Sequence, residues 1–160
     1  MNDVIIQSLK SKFPASMEAT NEFRGDLTVQ VKRSDIVPVC RFLRDDPALS
    51  FDMIIDLCGV DMYRPDGRFE VIYNLYSLKN KKYMRLKVRV DEEDPIVDTV
   101  TGVWSGANWH ERETYDMFGI KFKGHPDLRR MYMPEEYEYF PLRKDFPTMG
   151  VTDSIPLPRK

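Results

Sequence analysis

Residues 83–90 read Tyr-Met-Arg-Leu-Lys-Val-Arg-Val, an apolar side chain at every second position from Met84 to Val90 and a cation at each position between. A period of two sustained over eight residues dictates a strand with one face in a core. The same alternation runs through Phe69, Val71, Tyr73, Leu75 and Ser77, with Glu70, Ile72, Asn74 and Tyr76 facing the other way. Lys79-Asn80-Lys81-Lys82 turns the chain between these two runs. Upstream, residues 51–61 are strand-like, with Met53, Ile55 and Leu57 alternating, and Arg64-Pro65-Asp66-Gly67 is a turn signature. Three strands joined by short loops predict an antiparallel meander. The Lys/Arg face of its last strand suits solvent or a guarded sheet edge.

Earlier residues supply the other elements. Val4, Ile5, Ser8, Leu9 and Lys12 predict a short amphipathic helix, capped by Asn2 or Asp3 and ended by Pro14. Residues 17–23 read as extended, Arg24-Gly25-Asp26 as a hairpin turn, and Leu27, Val29 and Val31 as a half-buried strand. Ser34 or Asp35 caps a second helix, whose apolar face is Ile36, Val37, Val39, Cys40, Phe42 and Leu43, with Pro38 in its first turn. The acidic run Asp91 to Asp94 with Pro95 leads into a third predicted helix carrying Ile96, Val97, Val100, Val103 and Trp104. The order α-β-β-α-β-β-β-α-α predicts an α+β fold: a two-layer sandwich of a mixed sheet with helices on one face, followed by a long irregular C-terminal extension.

That extension carries the candidate function. Residues 106–147 open with a charge-dense helix, 108–118, and continue as an aromatic segment without a period. Six of the eleven prolines follow Gly124 (Pro126, Pro134, Pro141, Pro147, Pro156 and Pro158), so neither a helix nor a central strand persists there. Yet Tyr132, Tyr137, Tyr139, Phe140 and Phe146 are too many aromatics for a solvated tail. Either the segment packs back on its own body or it wraps over another protein. We read it as a docking segment, residues 123–160, on a folded body, residues 1–122.

Within the helix, Trp104, Ala107, Glu111, Tyr115 and Phe118 share one side if the helix runs unbroken from Trp104. Alternatively Asn108 is an N-cap and Glu111 completes a capping box. Trp109, Arg112, Glu113 and Asp116 lie opposite, and Arg112 and Asp116 are spaced to pair. Acid–base chemistry by Glu111, Glu113, Asp116 or His125 would need a pocket that the sequence does not reveal. His110 and Glu113 have metal-ligand spacing but no further ligand beside them.

Composition narrows the classes. A net charge of −2 with interspersed signs argues against a nucleic-acid binder. Two separated cysteines, Cys40 and Cys58, and two histidines, His110 and His125, leave little for a zinc or iron–sulfur site and suit free thiols in a reducing compartment. No window approaches the roughly 20 apolar residues of a membrane span, so a soluble chain is expected, with any membrane association arising through partners. No phosphate-binding loop or nucleophile elbow is present.

The run Glu111-Arg112-Glu113, Asp116-Met117-Phe118-Gly119-Ile120, Phe122, Gly124-His125-Pro126-Asp127-Leu128-Arg129-Arg130, Met133-Pro134-Glu135 and Pro141-Leu142-Arg143-Lys144-Asp145-Phe146-Pro147 resembles the thirty-kilodalton subunit family of respiratory complex I, also called its C subunit. Residues 41–47 and 51–61 fit at the usual spacing, while the first 30 or so match weakly. The resemblance implies a two-layer α/β sandwich with a C-terminal extension, acting as a non-catalytic structural subunit. It would sit in the peripheral, quinone-module arm of a proton-pumping NADH:quinone oxidoreductase, on the cytoplasmic side of the bacterial inner membrane. The implied partners are the forty-nine-kilodalton-type subunit and the subunit that holds the terminal iron–sulfur cluster. The chain itself would bind no cofactor; FMN, iron–sulfur clusters, NADH and quinone would belong to the complex. It also looks like a stand-alone subunit rather than one fused to the forty-nine-kilodalton subunit. Partner contacts are expected at Glu111, Arg112, Glu113, Asp116, His125, Asp127, Arg129, Arg130, Tyr132, Arg143, Lys144, Asp145 and Phe146. Deazaflavin-dependent dehydrogenases and membrane-bound energy-converting hydrogenases contain a similar subunit, and the motif does not separate them.

Overall fold

The computed structural model describes residues 1–151; the last part of the expected docking segment, with Pro156 and Pro158, lies outside the described residues. Helix α1 (Asn2–Lys12) buries Ile5 and Leu9 and is followed by β1 (Met17–Phe23) and β2 (Asp26–Val31). Arg24 and Gly25 both adopt positive φ, +52° and +88°, as a two-residue hairpin loop of mirror-turn type requires. A 3₁₀ turn, Arg33–Asp35, leads into α2 (Ile36–Asp45), which buries Ile36, Val39, Cys40 and Leu43. Strands β3 (Met53–Asp61), β4 (Phe69–Ser77) and β5 (Lys82–Val90) form the expected antiparallel meander.

These five strands make one mixed sheet in the order β1-β2-β5-β4-β3, in which β2 runs parallel to β5. Strand β5 is therefore central, not an edge, and its Arg85, Lys87 and Arg89 stand on the outer face of the sheet interior. Leu27, Val29, Val31, Met84, Leu86, Val88, Val90, Phe69, Val71, Tyr73 and Leu75 line the inner face as one continuous core.

Among the strands and helices, the expectation from sequence fails in two places, for different reasons. In β3, Ile54 opposes Leu75 and Asp56 opposes Asn74, so Ile55 is an extra residue in a β-bulge. The bulge breaks the alternation: Ile54 and Leu57 point inward while Met53 and Ile55 are exposed. Second, no helix forms at residues 96–104. Ile96–Asp98 is a short strand, β6, paired in parallel with β7 (Lys121–Lys123). Turns then bury Val100, Val103 and Trp104. The β-branched run Ile96, Val97, Thr99, Val100, Thr101 disfavours a helix, and a strand 25 residues downstream supplies the partner that local sequence cannot show.

Helix α3 spans Ala107–Phe118 between β3 and the C-terminal segment. Gly59, on β3, lets it approach closely: a Cβ there would lie 2.7 Å from the Phe118 ring. Gly59→Ala is expected to wedge α3 off the sheet edge, at a cost of about 1–3 kcal/mol, measurable as a lowered denaturant midpoint with an unchanged slope.

Candidate functional site

Helix α3 is amphipathic in an unusual sense: nearly all of it is covered, and much of the covered surface is charged. Ala107, Glu111, Thr114 and Phe118 face the body; Arg112 and Asp116, equally buried, face the C-terminal segment. Its N-cap is Gly106 rather than Asn108, so Glu111 makes no capping box. Instead the Glu111 carboxylate accepts the Val100 N–H at 2.8 Å and the Thr99 hydroxyl at 2.5 Å, tying α3 to the turn after β6. His125 Nδ1 accepts the Asp127 N–H at 3.0 Å, which places the imidazole proton on Nε2, 3.2 Å from the Asn108 carbonyl and 4.0 Å from Glu111.

Glu111 has no cation beside it, and burial pushes its carboxyl up to about 7, against the bonds from Thr99 and Val100 that favour the charged form. A carboxyl raised from 4.5 to about 7 binds its proton more tightly in the folded state. Its contribution is therefore complete below pH 4.5 and is lost as pH rises through about 7. Between those values stability should fall with pH by up to about 1.4 kcal/mol per unit. Glu111→Gln should abolish that slope, and urea melts from pH 5 to 8 would show it.

Asp116 does not pair with Arg112. One of its oxygens accepts the backbone N–H groups of Met131, Tyr132 and Met133 at 3.0, 2.7 and 3.0 Å; the other takes Arg130 Nη1 at 2.7 Å. These donors hold its carboxyl below the ordinary aspartate value in spite of burial, which opposes them. Arg112 donates to the carbonyls of Arg129 and Arg130 and stacks on Trp109 at 4.8 Å.

A second anchor lies at the far end of the sheet. Buried Asp61 accepts Arg68 at 2.8 Å and the Lys144 N–H at 2.8 Å, and Arg68 also bonds Asp145 at 2.7 Å and Glu92 at 2.5 Å. Between the anchors runs an alternating ladder of rings and guanidiniums: Tyr63, Arg68, Phe69, Arg143, Phe140, Arg130 and Tyr137, each neighbouring pair 4.5–5.9 Å apart. Arg143 Nε also donates to the Phe118 carbonyl at 2.7 Å.

Residues 124–151 thus contain no helix or strand but do not extend away; they fold back on the body as a fastened ribbon. Of the sequence-derived candidates, the structure gathers Arg112, Asp116, Arg130, Arg143 and Asp145 into contacts within the chain and seats Glu111 and His125 in the interior. Glu113, Asp127, Arg129, Tyr132 and the Lys144 side chain are exposed, Arg129 paired with Asp127 at 3.0 Å, and Phe146 is half-buried. Asp61 and Arg68 are not among those candidates; Asp61 ends β3 and Arg68 immediately precedes β4, and their only local signal is the turn just before Arg68. Arg143→Ala should lower the stability of the isolated chain by about 1–2 kcal/mol. Arg129→Ala, on an exposed pair, should change it by less than about 0.5 kcal/mol. Thermal melts of the two variants would separate them.

Exposed on the outside of this fastened region are Trp109 and Tyr132, each 61% accessible, with Tyr139, Leu142 and Met149 further along. No group of three or more metal-ligating side chains occurs among the described residues, and no described helix is long and apolar enough to cross a membrane.

The family described as "Respiratory-chain NADH dehydrogenase, 30 Kd subunit" matches residues 29–152. The chain belongs to this family. It is 52% identical over 146 residues to the NADH-quinone oxidoreductase C subunit of Roseiflexus sp. (strain RS-1), covering 91% of this chain and 84% of the relative. To the C 2 subunit of the same enzyme from Rhizobium meliloti (strain 1021) it is 51% identical over 152 residues, covering 95% and 83%. Among solved structures it is similar to a trypsin-resistant fragment of Nqo5, with a TM-score of 0.66 and 34% identity over 80% of this chain and all of the fragment. A structure of the membrane-bound sulfane sulfur reductase, an archaeal respiratory membrane complex, shares the fold at a TM-score of 0.75 and 22% identity, covering 92% of this chain and 86% of that one.

Proposed function

We propose that the chain is a non-catalytic subunit of the peripheral, quinone-module arm of a proton-pumping NADH:quinone oxidoreductase. It docks there on the forty-nine-kilodalton-type subunit, beside the subunit that holds the terminal iron–sulfur cluster, on the cytoplasmic side of the membrane. FMN, clusters, NADH and quinone are bound by other subunits. One observation carries the docking: the ribbon's polar groups are satisfied by its own body through Asp116, Asp61 and Arg68, whereas Trp109 and Tyr132 are left exposed. A fastened backbone presenting large aromatics loses little entropy on binding. The relatives are named as C subunits of NADH-quinone oxidoreductase, which supports the NADH-linked complex over the other assemblies with a similar subunit.

The test replaces Trp109 and Tyr132 by glutamate in the full chain and measures co-purification with the forty-nine-kilodalton-type subunit from mildly solubilised membranes. Loss of that subunit at an unchanged melting temperature is expected, since both side chains are exposed. Undiminished recovery of the complex would contradict the assignment.

A further inference from the structure

The outer face of the five-stranded sheet carries a second apolar surface, at the opposite end of the strands from the ribbon's anchor at Asp61 and Arg68. Its register can be followed strand by strand. Phe23 on β1 is opposite Asp26 on β2; the pairing of Leu27 with Met84 sets Asp26 beside Tyr83 on β5; Tyr83 is opposite Tyr76 on β4, and Tyr76 is opposite Met53 on β3. Residues directly opposite share a face, so Phe23, Tyr83, Tyr76 and Met53 form one row across the sheet, interrupted only by Asp26. The bulge adds Ile55 to it. Phe23 is 66% accessible, Tyr83 55%, Met53 45% and Ile55 40%, and the two tyrosine rings stack at 4.4 Å.

The row is one residue deep. The next row is polar and bonded to itself: Arg85 Nε donates to Asn74 at 3.1 Å, and Asn74 donates to Asp56 at 3.3 Å. Between the two rows a depression of about 330 Å³ is bounded by Asp26, Ile55, Asp56, Asn74, Tyr83 and Arg85. On its other side the row is bordered by the hairpin loop with Arg24 and the β4–β5 turn with Lys79 and Lys81; Lys82, two residues before Met84 on β5, stands on the inner face. Lys79 and Lys82 donate to the carbonyls of Pro47 and Gly25, which leaves their charge unneutralised. Among the described residues none of Arg24, Lys79, Lys81, Lys82 or Arg85 has a carboxylate within ion-pair distance.

We infer that this belt is a second docking surface, and that its occupant is an acidic amphipathic helix of another subunit. A single apolar row, flanked on one side by the self-bonded Arg85, Asn74 and Asp56 row and on the other by the unpaired cations Arg24, Lys79 and Lys81, is the complement of one apolar helix stripe with carboxylates along one flank. The belt crosses four strand spacings of about 4.8 Å, or about 19 Å, the length of a helix of about 13 residues. The ribbon's anchor at Asp61 and Arg68 lies at the other end of the same strands. The subunit therefore joins two partners across its sheet, one at the ribbon and one at the belt. This inference rests on the chain's place in a multi-subunit complex and not on the ribbon contact.

The experiment inserts a photo-crosslinking benzophenone amino acid in place of exposed Tyr83, within the full chain assembled in its native membrane complex, with the same probe at Tyr132 in a second preparation. The expected Tyr83 adduct is a helical, acid-rich peptide of a different polypeptide. Its yield should fall at least about fivefold when Arg24→Glu and Lys81→Glu are added, because reversing rim charges weakens an electrostatically matched contact. Adducts only with lipid, with a second copy of this chain or with residues 152–160, or no adduct, would overturn the belt. A Tyr132 adduct without one at Tyr83 would sink this inference and leave the ribbon's docking intact, and the reverse would do the opposite. Melting temperatures of the substituted chains, expected unchanged, show that the fold is retained.

Discussion

Replacing Asp116 by alanine should destabilise the isolated chain by about 3–5 kcal/mol, the range found when one partner of a buried ion pair is removed. The side chain is fully buried, and its loss strips three backbone N–H groups of their acceptor and leaves Arg130, itself 7% exposed, uncompensated. Residues 130–133 have no ladder to fall back on, so the loss should release the ribbon before it unfolds the sheet. Limited proteolysis of the variant should cut within residues 124–151 while the five-stranded body persists. Acid should act in the same way. The carboxyls of Asp116, Asp61 and Asp145 all lie below the ordinary aspartate value of 3.8. Their contribution is present above that value and is lost as pH falls below it. Ribbon amides should therefore lose protection on acidification before the core strands do.

Gly119→Ala is expected to cost about 2–5 kcal/mol through two separate effects, one in the backbone and one in packing. Gly119 ends α3 with φ +78°, in the left-handed region, and its N–H caps the Tyr115 carbonyl at 2.8 Å. A side chain in that conformation costs about 1–2 kcal/mol. In addition, a Cβ would lie 2.7 Å from both Arg143 Nη2 and the Phe140 ring, and overpacking of this kind adds about 1–3 kcal/mol. Those atoms are rungs of the ring–guanidinium ladder, so the strain falls on the ribbon. A melt should show the destabilisation. Quenching of the ribbon's tyrosines should show that they become more accessible, which backbone strain alone would not produce.

The meander, the hairpin and the first two helices follow from periodicity because each keeps its period to itself: the alternation of Met84 to Val90 needs no distant residue to be read. The errors occur where a distant residue decides. Ile96 and Val97 become strand because Lys121–Lys123 returns beside them. Met53 and Ile55 turn outward because one extra residue shifts the register against β4. The charged face of α3 reads as a partner surface because a buried Asp116 is invisible without the turn at residues 131–133 that bonds to it. Resemblance identifies the segment that matters, but the distinction between side chains that fasten it and side chains that face outward needs coordinates. Asp61 and Arg68 illustrate the limit: they have the same composition signature as any surface ion pair, yet they hold Lys144 and Asp145 on the body.

The ribbon is folded by its own body, and under the proposed function it offers a partner subunit a pre-formed surface. Amide hydrogen exchange on the isolated full chain tests it most directly, read at Met131, Tyr132, Met133 and Lys144. The bonds to Asp116 and Asp61 require those amides to exchange far more slowly than free peptide, before any partner is added. Exchange at free-peptide rates in the isolated chain, with protection arising only in the assembled complex, would contradict the account.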